Sequence, residues 1–324
     1  MGAADVSALG EFGLIADLTR SLVMPDSVQV GPGDDGAVFR VKGASVVSVD
    51  ALVEGVHFRR DWSSAIDIGR KTVAVSVADL EAMGADPVVM AIALSVPAQL
   101  PVTWVRDFGT GVRAECETAG ITLVGGDTTK SRDITISATV IGQMAGRRPV
   151  TRAGARPGDV VAYIGRLGWA GAGLAVLGRG FRSPRAAVDS QRCPQVPYGQ
   201  GAAASAAGAT AMIDISDGLI ADLTHICEAS GVTIDLARSE LPVDEPVRTV
   251  GAATNRDPLD FVLTGGEDHA LVACFPVGSI AAGWQVIGRV HEASPVDAEG
   301  ARPGSRVTVD GAAWPNPGGW DHFR

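Results

Sequence analysis

The sequence predicts an α+β protein of two domains. Two observations carry that reading. Strand-like and helix-like stretches are mixed in both halves, and an Arg-, Gly- and Pro-rich stretch over 146–159 separates them. We place the boundary there, giving domains of residues 1–148 and 149–324. A chain of 324 residues is long enough for two medium domains, each with a core.

Taken in order, Phe12, Ile15, Leu18 and Leu22 have helical spacing and predict a helix over 11–22. A Gly/Asp-rich turn follows at 31–36. The apolar runs 37–41 and 45–49 then suggest two strands of a hairpin. Residues 65–83 read as a long helix closed by Gly84 and Pro87. Residues 88–96 are β-branched and apolar, a strand that Pro97 ends. A helix over 102–119 stops at Gly120, and a strand over 121–124 runs into Gly125-Gly126-Asp127. A further strand covers 134–144. Beyond the seam come a strand at 160–164, a Gly/Ala-rich helix at 170–177 and a variable region to about residue 200. The strand 211–215 leads into a helix that ends at Ser230. Residues 260–263 read as a strand ending in Gly265-Gly266-Glu267-Asp268, and the tail from Ser294 is Gly/Pro-rich.

Composition narrows the chemistry. A formal net charge of −10 with no basic run disfavours nucleic acid and anionic membrane surfaces as partners. Aromatic residues make up only 5% of the chain, which disfavours aromatic ligand boxes. Cys116, Cys193, Cys227 and Cys274 are widely spaced and form no CxxC pair, so they read as reduced, buried thiols. No signal-peptide pattern and no stretch long enough to span a bilayer is seen, making the cytoplasm the expected location.

The informative pattern is carboxylate beside glycine at the ends of strands. It recurs at Asp34-Asp35, Asp50, Asp127, Asp214 with Asp217, and Glu267-Asp268. Singly, each has a bland explanation, since turn aspartates bond nearby backbone and Asp217 could cap the following helix. Together they imply cations, because clustered anions repel. Hard oxygen donors of this kind suit Mg²⁺ shared with phosphate oxygens. Gly31-Pro-Gly33-Asp-Asp-Gly36 matches G-x-G-x-x-G formally, but a strand-like run follows it in place of a helix, so the dinucleotide reading is rejected. There is no P-loop motif and no protein-kinase motif set. On the helix 65–83, Lys71, Val75, Asp79 and Met83 share one stripe.

These residues bring a family into view. The chain resembles the thiamine-monophosphate kinases of the aminoimidazole ribonucleotide synthetase-like superfamily. The resemblance rests on Glu11-Phe-Gly-Leu-Ile15, Gly33-Asp-Asp-Gly-Ala37, the stretch from Asp50 to His57-Phe58, Asp79-Leu-Glu-Ala-Met-Gly-Ala-Asp-Pro87, Gly125-Gly-Asp-Thr-Thr129, Thr151-Arg-Ala-Gly154, Asp214-Ile-Ser-Asp-Gly218, Gly265-Gly-Glu-Asp268 and Trp320-Asp-His-Phe323. These motifs appear in family order and run nearly end to end.

The resemblance implies a two-domain fold of that superfamily. Its N-terminal mixed-sheet domain would bind ATP and Mg²⁺ and dimerise; its C-terminal α/β domain would close over nucleotide and substrate. It implies that Asp35, Ser48, Val49 (through its carbonyl), Asp50, Asp79, Asp127, Asp214 and Asp217 hold several Mg²⁺ ions. Gly126, Asp127, Arg152 and Ser216 would contact ATP, and His57, Glu267 and Trp320 thiamine monophosphate. The activity implied is direct, in-line transfer of a phosphoryl group from ATP to thiamine monophosphate, with no catalytic nucleophile or base, in a homodimer. His269 departs from the pattern, which commonly has tyrosine there, and Ala119 stands where an aromatic is often found. Two rivals are an ATP-dependent synthetase of the same superfamily and a non-catalytic Mg²⁺–nucleotide module. The first cysteine, Cys116, and the His-Phe-Arg terminus argue against the first; the intact aspartate set argues against the second.

Overall fold

Helices and strands mix through both halves of the computed structural model, which describes residues 5–20, 22–293 and 307–315. The chain forms two units. Unit 1 is Met1–Leu80 with Ala85–Gly146; unit 2 is Glu81–Gly84 with Arg147–Arg324.

Unit 1 contains, in order, α1 (Val6–Thr19), β1 (Val28–Val30), β2 (Val38–Phe39), β3 (Ser45–Val53), α2 (Ala65–Ala82), β4 (Asp86–Val96), α3 (Val102–Ala119), β5 (Thr122–Lys130) and β6 (Thr135–Gln143). The first helix starts earlier than its apolar spacing indicated. The Asp5 side chain caps it, and Gly10, at φ 67°, breaks it just before the expected start. Four strands form a sheet in the order β3-β6-β4-β5. Its pairs are antiparallel except β4–β5, which the 18-residue helix α3 connects as a parallel pair.

The expected hairpin of residues 37–41 and 45–49 does not form. β2 pairs with β1 instead, with Val28 opposite Phe39. β3 pairs with β6 along its whole length, from Ser45 opposite Gln143 to Val53 opposite Thr135. The alternation in β3 needs a partner of equal length, and β6 supplies one with Ile136, Ala138 and Val140 fully buried.

A reciprocal cap starts α2. Asp67 accepts from the Ser64 amide at 3.0 Å and hydroxyl at 2.8 Å, and the Ser64 hydroxyl accepts from the Asp67 amide. Ile68, Val73, Ala74, Val77 and Ala78 then bury completely. Two glycines let α2 and α3 meet backbone to backbone. A Cβ on Gly69 would lie 2.2 Å from the Phe108 carbonyl oxygen, and one on Gly111 2.1 Å from that of Ile66.

Unit 2 contains β7 (Val160–Ile164), α4 (Trp169–Gly178), α5 (Arg185–Arg192), α6 (Gln200–Ala207), β8 (Ala211–Asp214), α7 (Leu219–Ser230), β9 (Val232–Leu236), α8 (Glu245–Thr254), α9 (Pro258–Thr264), β10 (Leu271–Phe275), β11 (Gln285–Glu292) and β12 (Val307–Val309). Its sheet has the order β12-β9-β11-β7-β10-β8, antiparallel except at the β12–β9 pair. β10 is buried throughout, and Phe275 packs edge-on against Trp284 with ring centroids 5.3 Å apart. Glu81 is fully buried and accepts from the amides of Gly199 at 2.7 Å and Gly201 at 2.8 Å.

Residues 260–263 are helical, contrary to the strand expected there. The Asp257 carboxylate accepts from the Leu259 amide and Pro258 occupies the first turn, so a capped α9 starts before the apolar run. Periodicity over four residues could not separate a buried strand from a short buried helix. The four cysteines are free and buried.

Gly111→Ala should destabilise the protein by about 1–3 kcal/mol, because the new methyl has backbone and no flexible side chain to displace. Urea unfolding followed by circular dichroism checks this as a lower midpoint at unchanged m-value.

Candidate functional site

In unit 1 Asp50 and Asp127 sit inside strands, not beyond their ends. β3 continues to Val53 because β6 offers partners that far, so Ser48, Val49 and Asp50 are mid-strand. β5 continues to Lys130 along β4, after a register shift between Met90 and Ala91. Gly126 makes this possible, since a Cβ there would fall 1.9 Å from the Ile92 carbonyl oxygen. The register aligns Asp50 with Ala138, Ile92 and Gly126; Asp127 is one row further, with Ala93, Ser137 and Ala51. Adjacent rows of a pleated sheet face opposite sides. Asp50 and Asp127 also lie on opposite edge strands, about 14 Å apart at three inter-strand spacings.

Two groupings result. On one side the Ser48 hydroxyl donates a short hydrogen bond to Asp79 of α2. Asp50, two residues along the same strand, faces the same way. Nearer β5, Asp34, Asp35, Gly126 and Asp127 line a cavity of about 710 Å³ whose apolar wall includes Leu18 and Phe108. The Asp34 carboxylate accepts from the Asp35 amide at 3.0 Å, which shapes the turn that carries both. Val49 exposes its side chain and lies opposite Thr139 in the ladder.

His57 is held by its backbone and ring together. The Val53 amide donates to Nδ1 at 3.0 Å, so the ring proton resides on Nε2. The His57 carbonyl accepts from Lys71 Nζ at 3.0 Å, and Lys71 is only 2% exposed. The helix stripe of Lys71 and Val75 is therefore interior, and Lys71 positions the histidine loop.

In unit 2, Asp214 ends β8 and is 6% exposed, with Oδ2 3.0 Å from His269 Nδ1. Asp217 does not cap α7. Asp222, in that helix's first turn, accepts from the amides of Asp217 at 3.1 Å and Gly218 at 3.0 Å. Burial, and then the neighbouring Asp214 and Asp217, push its carboxyl up to about 8. The Ser216 carbonyl accepts from the Glu267 amide at 2.7 Å, and Glu267 has φ 70°. Gly266 fits beside Ser216, because a Cβ would meet its carbonyl oxygen at 2.6 Å.

Asp268 is spent on structure. It accepts from the amides of Gly168 and, at 2.8 Å, Ala170, which closes the N-terminus of α4. Burial pushes its carboxyl up to about 7 against the lowering effect of those amides. Arg152 is exposed; the Ser230 hydroxyl donates to its carbonyl at 3.0 Å and accepts from the amides of Gly154 and Ala155. Trp320 and the motif that follows it lie outside the described residues.

Among the described residues, no group of three or more His, Cys, Asp or Glu side chains forms a ready-made metal cage. The donors suit a particular cation nonetheless. Hard oxygens, one or two carboxylates at a time, match Mg²⁺, which keeps waters and completes its shell with phosphate. Burial pushes the thiols of Cys116 and Cys227 up to about 12, which disfavours their thiolates. Sequence reasoning missed Asp222 and the anchoring of Lys71. An acid in the first turn of a helix preceded by Asp-Gly was the available signal for the former.

Comparison with known proteins follows the same division. The model of the AIR synthase related protein N-terminal domain matches residues 33–144, and that of the C-terminal domain matches residues 156–294. The chain is 45% identical to the thiamine-monophosphate kinase of Mycobacterium tuberculosis over 317 residues, covering 97% of this chain and 92% of that one. It is 38% identical to that of Corynebacterium glutamicum, covering 98% and 95%. Among solved structures, the thiamine-monophosphate kinase from Stenotrophomonas maltophilia superposes with a TM-score of 0.78 at 31% identity, covering 93% and 95%. A structure of AaThiL complexed with AMPPCP and TMP superposes at 0.76 with 30% identity over the whole of both chains.

Asp268→Ala leaves two buried amides without an acceptor and should cost about 2–3 kcal/mol, read as a lower denaturation midpoint. The folded carboxyl binds its proton more tightly than the unfolded one, 3.8 rising to about 7. Its contribution is therefore full below about pH 4 and is lost as pH rises through about 7. The variant should show a shallower loss of stability over that window.

Proposed function

The chain belongs to the thiamine-monophosphate kinases, and from that membership we propose that it transfers the γ-phosphoryl group of ATP to the phosphate of thiamine monophosphate, giving thiamine diphosphate and ADP. The structural observation that most supports this reading is the unit 1 cavity, which combines an apolar wall with a rim of Asp35, Gly126 and Asp127. An apolar wall suits a base. Carboxylates beside phosphates require cations.

Mg²⁺, when bound, would supply positive charge between the carboxylates and the phosphates. Asp35 and Asp127 would hold it at the cavity. Ser48, the Val49 carbonyl, Asp50 and Asp79 would form a second set of ligands, and Asp214 with Asp217 a third. Gly126, Asp127, Arg152 and Ser216 contact ATP, and Arg152 adds a guanidinium near its phosphates. His57, with its proton on Nε2, takes thiamine monophosphate together with Glu267 and Trp320.

An oxygen of the acceptor phosphate forms the new bond to the γ-phosphorus. The bond from that phosphorus to the β–γ bridging oxygen breaks, and its electron pair leaves with ADP. The attacking oxygen is already ionised, since a phosphate monoester loses its second proton near pH ~6, so no general base is needed. No side chain is phosphorylated on the way.

Two further properties belong to this reading. The chain works in the cytoplasm, in keeping with its free, buried cysteines, and no helix among the described residues is long and apolar enough to cross a membrane. It acts as a homodimer through the open face of the unit 1 sheet. Val47 and Val49 are 59% and 60% exposed on edge strand β3, and such a patch favours burial against a second copy.

Asp127→Asn should lower turnover about 100-fold or more at unchanged thermal unfolding, measured as thiamine diphosphate formed from thiamine monophosphate and Mg²⁺–ATP, with free thiamine as control. Full activity would remove Asp127 from the site. Replacing Val47 and Val49 together by aspartate should shift sedimentation from dimer to monomer; a dimer that persists places the interface elsewhere.

A further inference from the structure

We infer that His269 is a positioning residue that orients the Asp214 carboxylate for metal binding. The inference rests on the reading of Asp214 as a Mg²⁺ ligand.

The geometry is specific. His269 is 7% exposed, and its Nδ1 meets Asp214 Oδ2 at 3.0 Å. A carboxylate has no proton to give, so Nδ1 is the donor. The bond takes up one carboxylate oxygen and fixes the plane in which Oδ1 is presented. Backbone bonds hold both partners in register. The His269 amide donates to the Ile215 carbonyl at 2.8 Å, the Ile215 amide donates to the Ala270 carbonyl at 2.8 Å, and Asp214 pairs with Leu271 across the β8–β10 ladder.

The backbone of His269 is unusual, with φ 48°. Histidine accepts this left-handed region better than most side chains, though at some cost. Its neighbour Asp268 is anchored the other way, onto the N-terminus of α4. Between these two anchors the ring has little freedom, so the Asp214 carboxylate is aligned before any ion arrives. Hydrogen-bond partners of metal ligands act in this way, and their loss typically weakens affinity by roughly 10–100-fold.

The test is an ATP-free titration of the full chain with Mn²⁺, following the free ion by electron paramagnetic resonance. Asp214→Asn should lose or strongly weaken one class of bound Mn²⁺. His269→Ala should weaken the same class by about 10-fold, and His269→Asn, which keeps a donor and tolerates the left-handed backbone, should restore most of it. His269→Gly, equally without a donor and free of backbone strain, replaces the alanine variant if that fails to fold. Wild-type binding in His269→Ala beside lost binding in Asp214→Asn would overturn the positioning role and leave the ligand in place. Wild-type binding in Asp214→Asn would overturn the ligand reading and this inference with it.

Discussion

Four of the carboxylates that the fold draws below its surface are met by donors, and the architecture of the site depends on that pairing. Asp79 receives the Ser48 hydroxyl, Asp214 the His269 ring, Asp222 the amides of Asp217 and Gly218, and Asp268 those of Gly168 and Ala170. Buried negative charge without such partners is too costly to keep. A chain with a net charge of −10 that handles anionic ligands faces this problem repeatedly. Its donors are mostly backbone amides, which bring no lysine or arginine to compete with a metal ion.

The pairing also sorts acids that look alike in sequence. Glu267 and Asp268 are neighbours, yet Asp268 closes a helix while Glu267 sits in a left-handed turn beside Ser216. Asp217 and Asp222 divide similarly. Asp222 lies in the first turn of α7 and bonds the loop amides, so the loop keeps its shape and Asp217 is carried at its corner. The exposed acids Asp34, Asp35 and Asp127 form a different class, gathered around one cavity where solvent and ligand reach them.

Close approach of backbones sets where these acids stand. The α2–α3 crossing at Gly69 and Gly111 fixes the helix that carries Asp79. The contact of Gly126 with the Ile92 carbonyl lets β5 run alongside β4 past Asp127. In unit 2 Gly266 does the same beside Ser216. Gly126 and Gly266 therefore act as spacers between backbones.

Much of this was legible in the residue order. The long helices α2 and α3, the strands β4, β6, β7 and β8, and the acidic motifs follow from apolar periodicity, glycine stops and local turn chemistry, which act over a few residues. The two-domain α+β class and the family followed from the motifs together. Partner choice did not, because it depends on what is presented from afar. β3 pairs with β6, about 90 residues away, and not with its neighbour; Asp268 caps a helix 100 residues back; His269, a departure from pattern in the sequence, meets Asp214 from 55 residues away. Sequence alone determined which side chains carry charge and that they recur beside glycine. Only the tertiary structure decided which carboxylates are committed to amides and which stay exposed, because desolvation and hydrogen-bond geometry exist only once distant segments pack together.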